Sequence, residues 1–151
     1  MSIDRTLWTQ RFNKNTFPLW TCSACNVGLL QLQPNTLNRL ETGESIQAKS
    51  HEDWDPEWIR YRFVALLVCN NKVCADCVTV SGRGELEEIY YTEYGQQHQD
   101  WLDFFTAEYF RPAPQIFRIS VNTPDEIKEE ILQSFCIFLS DPSAAGNRVR
   151  T

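Results

Sequence analysis

The chain has no run of 18 apolar residues, so it holds no segment of the kind that crosses a bilayer as a helix. Its longest apolar stretch, Phe63 to Cys69, is the length of a strand. The opening Met1-Ser-Ile-Asp-Arg-Thr6 lacks the apolar core of a secretory signal. The expectation is a soluble, cytoplasmic protein with no membrane partner. Basic charge is scarce: 14 Lys and Arg stand against 20 Asp and Glu, for a net charge of −6 and a pI near 4.9. That balance argues against passive binding to phosphate backbones, which requires clustered cations. Histidine is scarcer still, with only His51 and His98. Internal repeats and low-complexity segments are lacking as well.

What is present suits a packed domain. Hydrophobic residues make up 42% of the chain and aromatics 13%, enough to bury a core, in one medium domain or two small ones. Five of the six cysteines fall into two clusters, Cys22-Ser-Ala-Cys25 and Cys69-Asn-Asn-Lys-Val-Cys74-Ala-Asp-Cys77. C-x2-C followed at a distance by C-x4-C-x2-C reads as a split zinc site closing a treble-clef or ribbon-like unit. Two cysteines three apart on a tight turn can point at one ion, and Gly28 suits the positive φ that often follows such a turn.

A structural zinc takes four ligands, and five cysteines compete. Cys22 and Cys25 form one pair. The second is Cys69 with Cys74, or Cys74 with Cys77, whose x2 spacing is the commoner. Cys69 ends a strand where a ligand enters a turn, and Cys77 precedes Val78-Thr-Val80 as a small buried hydrophobe. Position thus favours Cys69 and Cys74, with Cys77 the alternative. A redox C-x-x-C would open a helix in a βαβ unit, and catalytic zinc would keep an open position and use His or carboxylate. Neither fits, so the zinc is read as structural and the protein as no enzyme.

Along the chain, Leu7, Trp8 and Phe12 mark a short helix, and Leu29–Gln33 a strand ended by Pro34-Asn35. Residues 35–57 read as a polar loop, including His51 and its neighbouring carboxylates. Residues 58–69 read as a strand that becomes buried. Val78–Val80 reads as a second strand breaking at the turn Ser81-Gly-Arg-Gly84, and Leu86–Tyr94 as a third. Residues 95–110 are helix-compatible or an extended aromatic segment, and 115–121 extended. Thr123 as N-cap, Pro124 at N1 and Glu126 at N3 make a capping box. Ile127, Ile131, Phe135 and Phe138 then form an apolar stripe, with Cys136 a core thiol. Ser140-Asp-Pro142 begins a second helix that runs to Thr151 without a C-cap, as though the chain were cut inside it. The fold class is α+β: a small zinc-ribbon-like antiparallel β unit over 1–111, then a truncated α-helical unit over 112–151.

These stretches, in order, resemble the family catalogued as domain of unknown function 4145. They are Trp20–Cys25, Cys69–Cys74 with Val78–Gly82, Tyr109–Pro112, Thr123–Ile131, Ser134-Phe135 and Asp141–Arg150. The resemblance implies a zinc ribbon joined to a HEPN-like helical domain, in bacterial defence or restriction systems. It also supports Cys69 and Cys74 as the second ligand pair. HEPN ribonucleases carry Arg and His four to six residues apart, a motif this chain lacks. The function expected is a non-catalytic zinc-stabilised module that binds a protein partner or itself, in a defence, restriction or toxin–antitoxin-like system. The alternatives are a nucleic-acid-binding zinc ribbon using Arg60, Arg62, Lys72, Arg83, Arg148 and Arg150 with Trp54, Trp58 and Tyr61, or a remnant of a HEPN ribonuclease. Pro124–Lys128 superficially matches a PD/ExK nuclease set, but capping explains those residues.

Overall fold

The computed structural model describes residues 5–150, with side chains from Thr6 to Arg148. The core is a curled antiparallel half-barrel, followed by two helices. In chain order the elements are α1 (Arg5–Thr9), β1 (Leu30–Leu32), β2 (Asn38–Glu41), α2 (Gly43–Ala48), a 3-10 turn (Pro56–Trp58), β3 (Arg60–Cys69), β4 (Cys77–Glu93), β5 (Gln96–Arg111), α3 (Asp125–Ile137) and α4 (Pro142–Arg150).

β3 is the central strand. β4 pairs along one edge of it, from Arg60↔Glu85 to Val68↔Cys77. The other edge is shared end to end, with β2 against Tyr61–Val64 and β1 against Leu67–Cys69. Burial alternates strictly along most of β3, because successive side chains point to opposite faces. Tyr61, Phe63, Ala65, Leu67 and Cys69 face the core, while Val64 and Leu66 of the apolar run face outward and are exposed.

The N-terminal aromatics fill the concave face. Trp8 stacks on Trp20 at 6.1 Å, and Phe12 packs against Phe17, Trp20, Phe63 and Phe105 with centroids 4.9–5.7 Å apart. Trp20 is fully buried, and its indole N–H donates to the Leu7 carbonyl at 2.9 Å, leaving no orphaned donor there.

Several local expectations change. Residues 35–57 are not a plain loop: Thr42 caps α2 through its side chain, and Asp55 caps the 3-10 turn. Ser81–Gly84 is not a turn. β4 runs straight through it with a bulge, where Ser81 opposes Tyr109 and Gly82 opposes Ala107. A Cβ at Gly82 would lie 2.1 Å from the Thr106 carbonyl oxygen, so only glycine lets the strands close there. Of the two readings of 95–110, the extended one holds: residues 96–111 form a strand within the sheet rather than a helix, because Phe105, Ala107 and Phe110 have a sheet to bury against. Residues 115–121 hold no strand. α3 starts one residue later than the capping box requires, with Pro124 at the cap and no side-chain cap bond. Of the α3 stripe, Phe135 is buried and stacks edge-on against Phe117 at 4.9 Å, whereas Ile127 is exposed.

Beyond Glu85, β4 leaves β3 and pairs with β5 alone, from Leu86↔Asp103 to the turn at Tyr94-Gly95, both at positive φ. This two-stranded arm of eight register pairs extends the sheet by about 25 Å. No helix among the described residues is long and apolar enough to cross a membrane.

Candidate metal centre

The first knuckle is the turn between Trp20 and Leu30. Thr21 bridges Leu29, the Cys22 N–H donates to the Gly28 carbonyl at 2.8 Å, and the Asn26 N–H donates to the Cys22 carbonyl at 2.9 Å. Asn26, at φ 56, is the left-handed residue of this turn, not Gly28. Gly28 is needed for a different reason. A Cβ there would lie 2.4 Å from the Cys69 sulfur and 2.9 Å from Asn71 Cβ.

The second knuckle follows the end of β3. The Cys69 N–H donates to the Asp76 carbonyl at 2.9 Å, and the N–H groups of Cys74 and Ala75 both donate to the Asn71 carbonyl. Ala75 takes φ 47. The knuckles are laced together: the Asn70 N–H donates to the Leu29 carbonyl at 2.9 Å, and the Leu29 N–H donates to Asn70 Oδ1 at 2.8 Å.

This lacing brings four sulfurs together. Those of Cys22, Cys25, Cys69 and Cys74 all lie within 4.8 Å of one another, with Cys22–Cys74 at 3.8 Å and Cys25–Cys69 at 3.7 Å. Sulfurs bound at about 2.3 Å to a tetrahedral zinc stand about 3.8 Å apart, whereas disulfide sulfurs stand about 2.05 Å apart. The arrangement is consistent with a structural metal such as zinc. Cys77 lies outside the cluster, and it is not a small buried hydrophobe. It is the first residue of β4, and the pleat that turns Val78 inward turns Cys77 out to solvent. Cys136 on α3 is half-buried, with its thiol donating to the Leu132 carbonyl at 3.5 Å.

The thiols are unequal. The backbone N–H groups of Gly28 and Val27 favour the Cys25 thiolate and bring its pKa down to about 6. Burial pushes Cys69 up to about 12. The Asp76 backbone N–H favours the Cys74 thiolate, but burial and the neighbouring thiols prevail and raise its pKa. Such a set stays partly protonated until a cation replaces the protons.

The other candidate residues scatter. His51 is exposed after α2 and accepts from the Asp53 N–H; His98 stacks on Tyr91 in the arm. Arg60, Arg62, Arg83 and Trp58 share one groove. Lys72 lies in the second knuckle, and Arg148 on α4 pairs with Gln133 and Glu130. Trp54 is half-buried. Tyr61 is buried on the inner face beneath the Arg39 guanidinium, 4.1 Å away. The side chain of Arg150 lies outside the described residues. The one trace of the Asn70–Leu29 lacing in the sequence is Asn70, immediately after the ligand-bearing strand.

A family model described as domain of unknown function (DUF8608) matches residues 10–110. The match takes in both knuckles, β1 to β4, and β5 as far as Phe110. The chain belongs to this family. Membership in DUF8608 overturns the resemblance to domain of unknown function 4145, and the defence context and HEPN-like continuation fall with it. The motifs behind that resemblance are chiefly knuckle cysteines, a strand and helix-start residues, and those beyond residue 110 lie outside the matched stretch. No curated protein and no solved structure matches the chain.

Proposed function

We propose that Cys22, Cys25, Cys69 and Cys74 hold one structural Zn2+, and that the half-barrel they close is a non-catalytic binding module for a protein partner. Four thiolates fill a tetrahedral ion, leaving no open position for substrate. Neither histidine is part of the cluster.

The β4–β5 arm carries the reading of a protein partner. A two-stranded ribbon in water is marginal by itself and leaves both edges unpaired. Residues 86–103 carry five carboxylates and no Lys or Arg. Glu87 pairs with Arg11 and Asp103 with Arg39, which leaves Glu88, Glu93 and Asp100 toward the tip. Tyr90 and Tyr94 there are 68% and 97% exposed. Exposed tyrosines on an acidic strand pair fit the edge or groove of a basic protein surface. Two copies pairing through their own arms would oppose like charges.

The test compares co-purification of the intact chain with two arm variants, Tyr90→Ser/Tyr94→Ser and Glu88→Lys/Glu93→Lys/Asp100→Lys. The expected result is a stoichiometric protein partner on the intact chain and its loss from both variants, each still carrying zinc. Equal retention of the partner by the arm variants would refute the reading.

A further inference from the structure

The outer face of the sheet carries a second site, remote from the cysteines. Arg62 on β3 stands directly opposite Arg83 on β4. Like charges opposed on neighbouring strands repel at close range. Nothing in the fold relieves them: neither guanidinium makes a hydrogen bond or ion pair among the described residues. Arg60, two residues along the same face, is held by its own backbone surroundings. Its Nη1 donates to the carbonyls of Glu57 at 2.6 Å and Ile59 at 2.9 Å. The three arginines line a groove of about 480 Å³ with Thr42, Glu44 and Trp58. Glu44 is the one carboxylate in the lining, so the groove carries net positive charge on a chain of net charge −6.

Trp58 supplies the other half of the site. The 3-10 turn from Pro56 holds it at the groove, 42% exposed, with the His51 ring at 5.6 Å. A half-exposed indole beside unpaired guanidiniums offers a flat apolar face and an anion clamp together.

We propose that this groove binds a nucleotide, with Arg62 and Arg83 holding its phosphate and Trp58 stacking on its base. Planar guanidiniums match phosphate oxygens bidentately, and stacking on tryptophan tolerates any base. The volume falls in the range of small-ligand sites. The acidic remainder of the surface disfavours a long polyanion and favours a compact ligand held by local contacts. The same chemistry is presented by a free nucleotide and by one residue of a single strand.

Isothermal titration at low salt separates the outcomes, with AMP, inorganic phosphate and a short oligodeoxyadenylate as probes. AMP is expected to bind the zinc-loaded protein. Arg62→Ala/Arg83→Ala should weaken it by about tenfold or more, the scale of losing charge-assisted contacts. Trp58→Ala should weaken AMP severalfold and leave phosphate unchanged. An oligonucleotide that binds more tightly than AMP identifies a strand as the source; equal or weaker binding identifies the free nucleotide. All three side chains are exposed, so zinc content and melting temperature report whether each variant remains folded. Lack of binding by both AMP and the oligonucleotide, affinity unmoved by the double arginine variant, or inorganic phosphate bound as tightly as AMP would each overturn the proposal.

Discussion

Gly28 is the tightest point of the cysteine cluster, because its backbone passes within side-chain reach of the Cys69 sulfur. Gly28→Ala places a methyl group 2.4 Å from that sulfur, with backbone-anchored Asn71 behind it. The knuckles must part or the sulfur must move off the cluster. The expected cost is about 1–3 kcal/mol, the range for overpacking a close-packed site, together with weaker zinc retention against a competing chelator. The cysteines divide just as sharply. Cys74→Ser removes one of four clustered sulfurs, and the expected outcome is loss of bound zinc by elemental analysis. Cys77→Ser alters an exposed strand residue, and zinc content should be unchanged with a melting shift of about 2 °C or less. A Cys77→Ser protein that lost its zinc would overturn this assignment of donors. The pairing of Cys22 with Cys25 was legible from its spacing, whereas Cys69 is singled out over Cys77 by its place at a strand end, against the commoner x2 spacing of Cys74 and Cys77. The outward turn of Cys77 was not legible, because strand phase depends on register, and register was set by pairing with β3.

At the scale of elements, strands whose apolar face was contiguous were legible and the longest ones were not. β3 announced itself through alternating and then continuous apolar residues. β5 did not: Trp101, Leu102, Phe105 and Tyr109 suit a helix stripe as well as a strand, and only Phe63 and Phe12 across the core select the strand. The Ser81–Gly84 stretch carried turn residues because the bulge needs Gly82, so a local signal for a break marked a bend within one strand. The arm follows from that continuity. Since β3 stops at Arg60, the arm adds little to the core, and its removal should be tolerated. Glu88 and Trp101 are register partners, so joining them by Asn-Gly in place of 89–100 makes a two-residue hairpin. The shortened protein should keep its zinc and melt within a few degrees of the intact chain. In the intact chain, amides of 87–102 should exchange much faster than those of 61–68. Protection of the arm equal to that of β3 would show that it is no independent ribbon.

For the molecule as a whole, the cysteine cluster joins distant segments that no disulfide connects. Cys25 and Cys69 lie 44 residues apart, and the cluster pins β1 to the β3–β4 turn at the end of the sheet opposite α2. Loss of a metal at this point would release both knuckles and open the half-barrel at one corner, because binding free energy at such a site is folding free energy. Chelation should therefore lower the melting temperature, and restored zinc should recover it; an unchanged melt after proven metal removal would show that the core of Trp20, Phe63, Phe105 and Leu67 suffices alone. The pH dependence has a defined sign. Near pH 7 the Cys25 thiol is already largely ionised, with a pKa of about 6, while Cys69, at about 12, must surrender a proton to the incoming ion. Below pH 6 Cys25 is protonated as well, and one more proton must leave per zinc bound. Affinity should fall as pH falls throughout, and more steeply by one proton per ion below about 6 than above it. Competition with a chelating dye between pH 5 and 8 measures that slope directly, and a slope that does not steepen on crossing pH 6 would show that no Cys25 proton is released to the metal in that range.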